Sequence, residues 1–224
     1  MTLLPILLAL AAQTSASGPE RSGDHGATHV GVPGRCEAQA VAGGGAIGCY
    51  LNLSVPMKSL PPRVYWHIDR FADIASARAA SGRRGAVVTA LGGEVFLYTL
   101  NGKSDWKPGR GERLATVGPM PVPREGPIIA RYMEATTNSP AQTRDHRHSG
   151  PEAFFLLEGA ICVETSIGET RIGKGNSAWL PGGVPMQLSN GEIRRRSLWL
   201  VLHPAKQPWM MTEMNWKPTG SCNR

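Results

Sequence analysis

The chain has 224 residues, 41% of them apolar and 18% charged, enough to bury a core and too apolar for a wholly disordered chain. Its 27 glycines and 18 prolines favour short strands and turns, and no apolar run approaches the roughly 20 residues of a membrane-spanning helix. The net charge of +7 is spread along the chain apart from Arg83-Arg84 and Arg194-Arg195-Arg196, without the motifs of a nucleic-acid reader, so no nucleic-acid partner is expected.

In chain order, residues 3–12 (LLPILLALAA) form a ten-residue apolar run followed by small residues. This predicts a signal peptide over 1–17 and an exported protein, periplasmic or secreted, although no Lys or Arg precedes the run. Residues 18–58 read as a Gly-rich leader carrying His25 and His29, with an alternating stretch CYLNLSV from Cys49 near its end. Four cysteines, Cys36, Cys49, Cys162 and Cys222, permit three pairings in an oxidising compartment. The local choice is Cys36–Cys49 with Cys162–Cys222; no CxxC spacing suggests a redox or zinc motif.

Residues 59–215 read as one β domain, with a tail over 216–224. VYWHID predicts a strand. Residues 71–80 predict the single short helix, capped by Asp69 and ended by Gly82. GAVVTAL and EVFLYTL flank Gly92-Gly93 as strands, and the prolines of ATVGPMPVP restrict it to a sheet edge. PIIARYMEAT is followed by RDHRH, EAFFLLE, AICVETS, ETRIG, SAWLP, VPMQLS and IRRRSLWLVLH, with Asn190-Gly191 as a hairpin turn. So many short strands predict an antiparallel sandwich or barrel.

The chemistry lies between two of these strands. His146 and His148 stand two residues apart on a strand and so share a face. Ser149-Gly150-Pro151 turns the chain, and Glu152 opens the next strand on the face of Phe154 and Leu156. A carboxylate in an apolar interior is costly unless a cation offsets it. Two imidazoles and one carboxylate match a metal site with open positions, for iron, manganese, zinc, nickel or copper. Without metal the three form a hydrogen-bonded cluster in a ligand pocket. If Asn190-Gly191 is a two-residue turn, Met186 faces Arg195, and Arg195 reaches the pocket mouth as a catalytic or anion-binding group. Its other reading is a surface arginine in a basic triplet.

This spacing closely resembles the first motif of the cupin superfamily: His146, His148, Glu152 and Gly159, with Pro140 where the family places a glycine. The second motif matches at Gly175, Pro181, Gly183 and Asn190, but its histidine, normally the fourth metal ligand, is Met186. The resemblance covers roughly residues 125–203. It implies an all-β antiparallel jelly-roll barrel with an N-terminal extension, and a homodimer as one arrangement. Residues 59–124 then supply further strands of an enlarged barrel or a decayed first half of a two-barrel protein. Small exported bacterial cupin-domain proteins without an assigned activity are similar.

Two functional readings follow. One is an exported metal-dependent enzyme on a small organic molecule, anionic if Arg195 meets it, of oxygenase or isomerase type. Its metal would sit on His146, His148 and Glu152, and its pocket would include Met186, Phe154 and Leu156; Glu152 serves as base if it is not a ligand. The other is a non-enzymatic small-ligand-binding protein with an incomplete metal site. A protein that merely keeps the fold would have a filled barrel.

Overall fold

The computed structural model describes residues 29–31, 34–35, 41–42, 47–137, 141–190, 194–212 and 215–223. The expected signal peptide, most of the leader, His25, Cys36, Pro140 and Gly191 lie outside them.

Three short strands, β1 (His29–Gly31), β2 (Gly34–Arg35) and β3 (Val41–Ala42), precede β4 (Ile47–Met57) and β5 (Arg63–Phe71). After helix α1 (Ile74–Ser81) come β6 (Gly85–Thr89), β7 (Val95–Asn101), β8 (Glu112–Pro121) and β9 (Ile128–Thr137). The C-terminal half adds β10 (Ala141–Thr143), β11 (Arg147–His148), β12 (Glu152–Glu158), β13 (Ala160–Thr165) and β14 (Gly168–Gly173). It ends with β15 (Ser177–Leu180), β16 (Met186–Asn190), β17 (Arg195–Pro204) and β18 (Met210–Met211).

A six-stranded sheet, β15-β12-β17-β9-β4-β2, forms the middle layer, and a five-stranded sheet, β14-β13-β16-β10-β3, faces it. Their facing side chains, among them Met133, Phe154, Leu156, Trp199 and Val201 against Ile161, Val163, Met186 and Leu188, form one apolar cluster between the two sheets. The alternate residues of the middle sheet point the other way. Tyr132, Phe155, Leu198, Leu200 and Leu202 pack against Val64, Trp66, Ile68, Phe96 and Tyr98 of a second five-stranded sheet, β1-β6-β7-β5-β8. The fold is therefore an all-β jelly roll with a third layer on its back. Coverage on both faces explains why every residue of β17 is buried and why SLWLVL shows no polar alternation. Each large apolar side chain buried there contributes roughly 1.5–3 kcal/mol.

Three expectations are corrected. Residues 63–121 do not lengthen the barrel's own sheets but form the sheet behind it, because the middle sheet offers a second apolar face. The leader does not run to 58: β4 is an 11-residue interior strand paired along β9 and with β2. The helix starts later than expected, since Phe71 ends β5 and the cap is Asp73, whose carboxylate accepts from Ser76 N (2.7 Å). Gly82 ends it with φ 57°, a conformation glycine adopts at no steric cost. As expected, β8 is an edge strand.

The C-terminal tail is stitched to the barrel. Cys162 and Cys222 form a disulfide, and the Thr219 amide and hydroxyl donate to Glu164. Closing a loop of 60 residues is worth about 4 kcal/mol on chain-entropy grounds. Cys49 is also disulfide-bonded; its expected partner, Cys36, is outside the described residues.

Candidate metal centre

The local chain is built to bring two imidazoles and a carboxylate to one point. His146 and Met186 exchange both backbone hydrogen bonds (2.9 and 2.8 Å), anchoring the end of the 144–148 segment to β16. β11 then pairs with β18, opposing His148 to Met210. The chain turns at Gly150, where a Cβ would stand 1.8 Å from the Leu202 carbonyl oxygen, so only glycine fits this approach. The turn is held when Gly183 N donates to the His148 carbonyl (2.8 Å) and Leu202 N to that of Pro151 (3.0 Å). Glu152 begins β12 between Leu180 and Val201.

His146, His148 and Glu152 are all buried, at 3%, 2% and 1% exposure. One ligand atom from each lies within 4.8 Å of the others, and His148 Nε2 is 3.3 Å from Glu152 Oε1. Each ring is oriented from behind: His146 Nδ1–H donates to the Arg144 carbonyl (2.9 Å) and His148 Nδ1–H to that of Trp209 (2.7 Å). Those bonds leave both Nε2 lone pairs directed at Glu152, the arrangement by which backbone carbonyls fix the tautomer of metal-ligating histidines. Among the described residues, neither Nε2 nor either Glu152 oxygen has a good hydrogen-bond partner. Four buried polar atoms so left are costly, and a cation satisfies all of them at once. The donor set fits a divalent ion with open positions.

Burial holds the His146 imidazole below its ordinary value, and the neighbouring His148 adds to this. Burial acts on His148 in the same sense, but the Glu152 carboxylate outweighs it and raises that imidazole.

Around the three, Phe154 and Leu156 continue the Glu152 face into the apolar interior. Met186, directly across from His146, is 1% exposed and belongs to the same apolar cluster. Trp209, legible in the sequence only as one of six tryptophans, is part of the centre. Its carbonyl orients His148, its ring stacks on the imidazole (5.4 Å, 21°), and the Arg131 guanidinium lies 4.7 Å from its ring centre. No local pattern announces this, because the β11–β18 pairing spans some 60 residues. His203 is buried near this end; its Nδ1–H donates to the Pro204 carbonyl (3.0 Å).

Arg195 is not at this centre. The expected hairpin does not form: β16 pairs with β13 and β10, whereas Arg195 lies in the opposite sheet across from Thr137. The chain changes sheets between Asn190 and Arg195, as jelly-roll connections do. Glu152 sits opposite Val201, six residues along β17 from Arg195, or about 20 Å at the usual strand rise. A second group of metal-type residues, Cys162, Glu169 and Cys222, is no centre, since both sulfurs are consumed in the disulfide.

No protein-family model and no curated protein matches the chain. Among solved structures, salicylate 1,2-dioxygenase from Pseudoaminobacter salicylatoxidans matches at 21% identity over 32% of this chain and 19% of its own, with a TM-score of 0.30. The DMSP lyase DddQ from Ruegeria pomeroyi matches at 17% over 37% and 42% (TM-score 0.33). A cupin-superfamily protein from Desulfitobacterium hafniense matches at 10% over 38% and 73% (TM-score 0.32). The chain thus spans about a fifth of the dioxygenase and under half of the lyase. Both stretches that resemble the cupin motifs lie on the strands and turns of an antiparallel jelly roll.

Proposed function

We propose that this chain is an exported metal-dependent enzyme acting on a small organic molecule, its divalent ion held by His146, His148 and Glu152. The observation that carries the reading is the convergence of three buried residues, one ligand atom of each within 4.8 Å of the others, whose imidazole Nε2 and carboxylate oxygen atoms lack good partners among the described residues. When bound, such an ion supplies Lewis acidity and, if it is iron or copper, redox chemistry, which suits an isomerase-type or oxygenase-type reaction. The chain's own part is orientation and exclusion of water. The Arg144 and Trp209 carbonyls fix the two rings, the tail strand β18 covers His148, and Phe154, Leu156 and Met186 make an apolar surround. The disulfide of the tail fits an oxidising compartment, and among the described residues no helix is long and apolar enough to cross a membrane.

Met186 favours a second reading. A thioether is a weak, soft ligand, so the site offers three firm protein ligands and suits a protein that binds a small ligand without turnover. Metal analysis of purified, tag-free protein separates the two. Near-stoichiometric metal that is lost in His148→Ala supports the enzyme; fully folded, metal-free protein after growth with each candidate metal overturns it.

A further inference from the structure

The barrel has a second polar end, and its chemistry is unlike the first. Arg195 is 1% exposed, one of the largest fully buried side chains in the protein. It shares a face of β17 with Ser197, Trp199 and Val201, so it points into the barrel. Phe154, Leu156, Trp199 and Met133 belong to the apolar cluster of the same interior. Among the described residues its Nε and Nη2 atoms have no hydrogen-bond partner. These two form the side-on edge of a guanidinium, the edge that matches a carboxylate with two parallel bonds. The same protein shows that edge in use, where Arg113 Nε and Nη2 hold Asp69 Oδ1 and Oδ2 at 2.7 and 3.2 Å. Arg196, next in sequence, has Glu134 and Glu94.

Around Arg195 the described groups are neutral. Thr137 lies opposite and accepts from Asn190 Nδ2 (2.8 Å), and the Ser197 hydroxyl is taken up by Trp199 Nε1 (2.6 Å). The Trp199 ring lies 5.7 Å from the guanidinium, a weak attraction that does not balance the dehydration of a buried charge. Burial, with no opposing charge among the described residues, lowers even this guanidinium to about 10. The turn at Gly159 (φ 70°), where a Cβ would stand 3.1 Å from Arg195 Cα, closes tightly on the arginine backbone.

We infer that Arg195 is the anchor of a second site, at the end of the barrel opposite the metal centre, that takes the carboxylate of a small organic anion on its Nε–Nη2 edge. The inference does not depend on metal binding or on turnover. The test is acetate binding by the full-length protein, read by calorimetry and by thermal unfolding at constant ionic strength, with chloride as the control anion. Acetate is expected to bind saturably and raise Tm in the native protein. Arg195→Met, which keeps the length and apolar contacts, should abolish both effects and leave metal content unchanged. Arg195→Lys keeps the charge without the fork and should bind acetate at least tenfold more weakly; it remains informative if the Met variant does not fold. No acetate response in the native protein, an equal response in either variant, or equal protection by chloride would each overturn the site. Loss of metal binding with acetate binding intact would sink the metal reading alone.

Discussion

Among the described residues, two buried clusters of imidazole and carboxylate have opposite characters. On the back sheet, His67 (0% exposed) and Asp69 (1%) are fully partnered. His67 Nε2–H donates to the Lys103 carbonyl (3.0 Å), while its Nδ1 accepts from Arg113 Nη1 (2.8 Å) with Thr116 Oγ1 at 3.2 Å. Arg113 completes the set through both Asp69 oxygens and the Trp106 carbonyl (2.8 Å). In the barrel, His146, His148 and Glu152 spend only their Nδ1 hydrogens and leave four ligand atoms over. Burial and residue type are the same in both places. What separates a structural cluster from a candidate site is whether its lone pairs are already used.

The sharpest way to break this comparison is to remove a ligand. His148→Ala or Glu152→Gln should lower metal affinity by more than the roughly 10–100-fold typical of changes to outer hydrogen-bond partners. Far-UV circular dichroism should stay unchanged. Equal metal content in these variants would dissolve the distinction. The back sheet should respond the other way. Asp69→Asn leaves Arg113 without its counter-charge, and a loss of about 2–3 kcal/mol is expected in denaturant unfolding, with metal content intact.

A pH titration sharpens the same contrast. Burial first, and the Arg113 charge second, lower the His67 pKa to about 4 from an ordinary 6.5. Between these values the unfolded chain takes up a proton that the folded chain refuses. The stability contribution is therefore complete above about 6.5 and is lost as pH falls toward 4, with a total of up to about 3 kcal/mol. His67→Gln should flatten the stability profile in that window; an unchanged slope would show that His67 does not titrate in this manner. The smallest effect should come from Met186→His. If the residue across from His146 can reach the ion, the variant binds metal about tenfold more tightly, or about 1.4 kcal/mol. No gain would place the Met186 side chain outside the coordination sphere.

The metal-type triad was legible before any coordinates because it is local. His146, His148 and Glu152 span seven residues, and strand periodicity with one turn suffices to converge them. The extension of β4 and the role of Trp209 were not legible, since each depends on a partner far away in the chain. The Arg195 assignment failed at a single connection. A hairpin was read across Asn190-Gly191, whereas the strand after it crosses to the other sheet. That crossing moves the side chain about 20 Å from the histidines without changing which face of its strand it occupies.

The sequence by itself determined the all-β class, the turns and the two-imidazole, one-carboxylate donor set, because turn chemistry and side-chain alternation act over a few residues. Only the tertiary structure decided that residues 63–121 stand behind the barrel, that a tail carbonyl steers His148, and that Arg195 sits at the far end. Those outcomes depend on which apolar faces meet and on which distant strands exchange hydrogen bonds, and no local stretch encodes either.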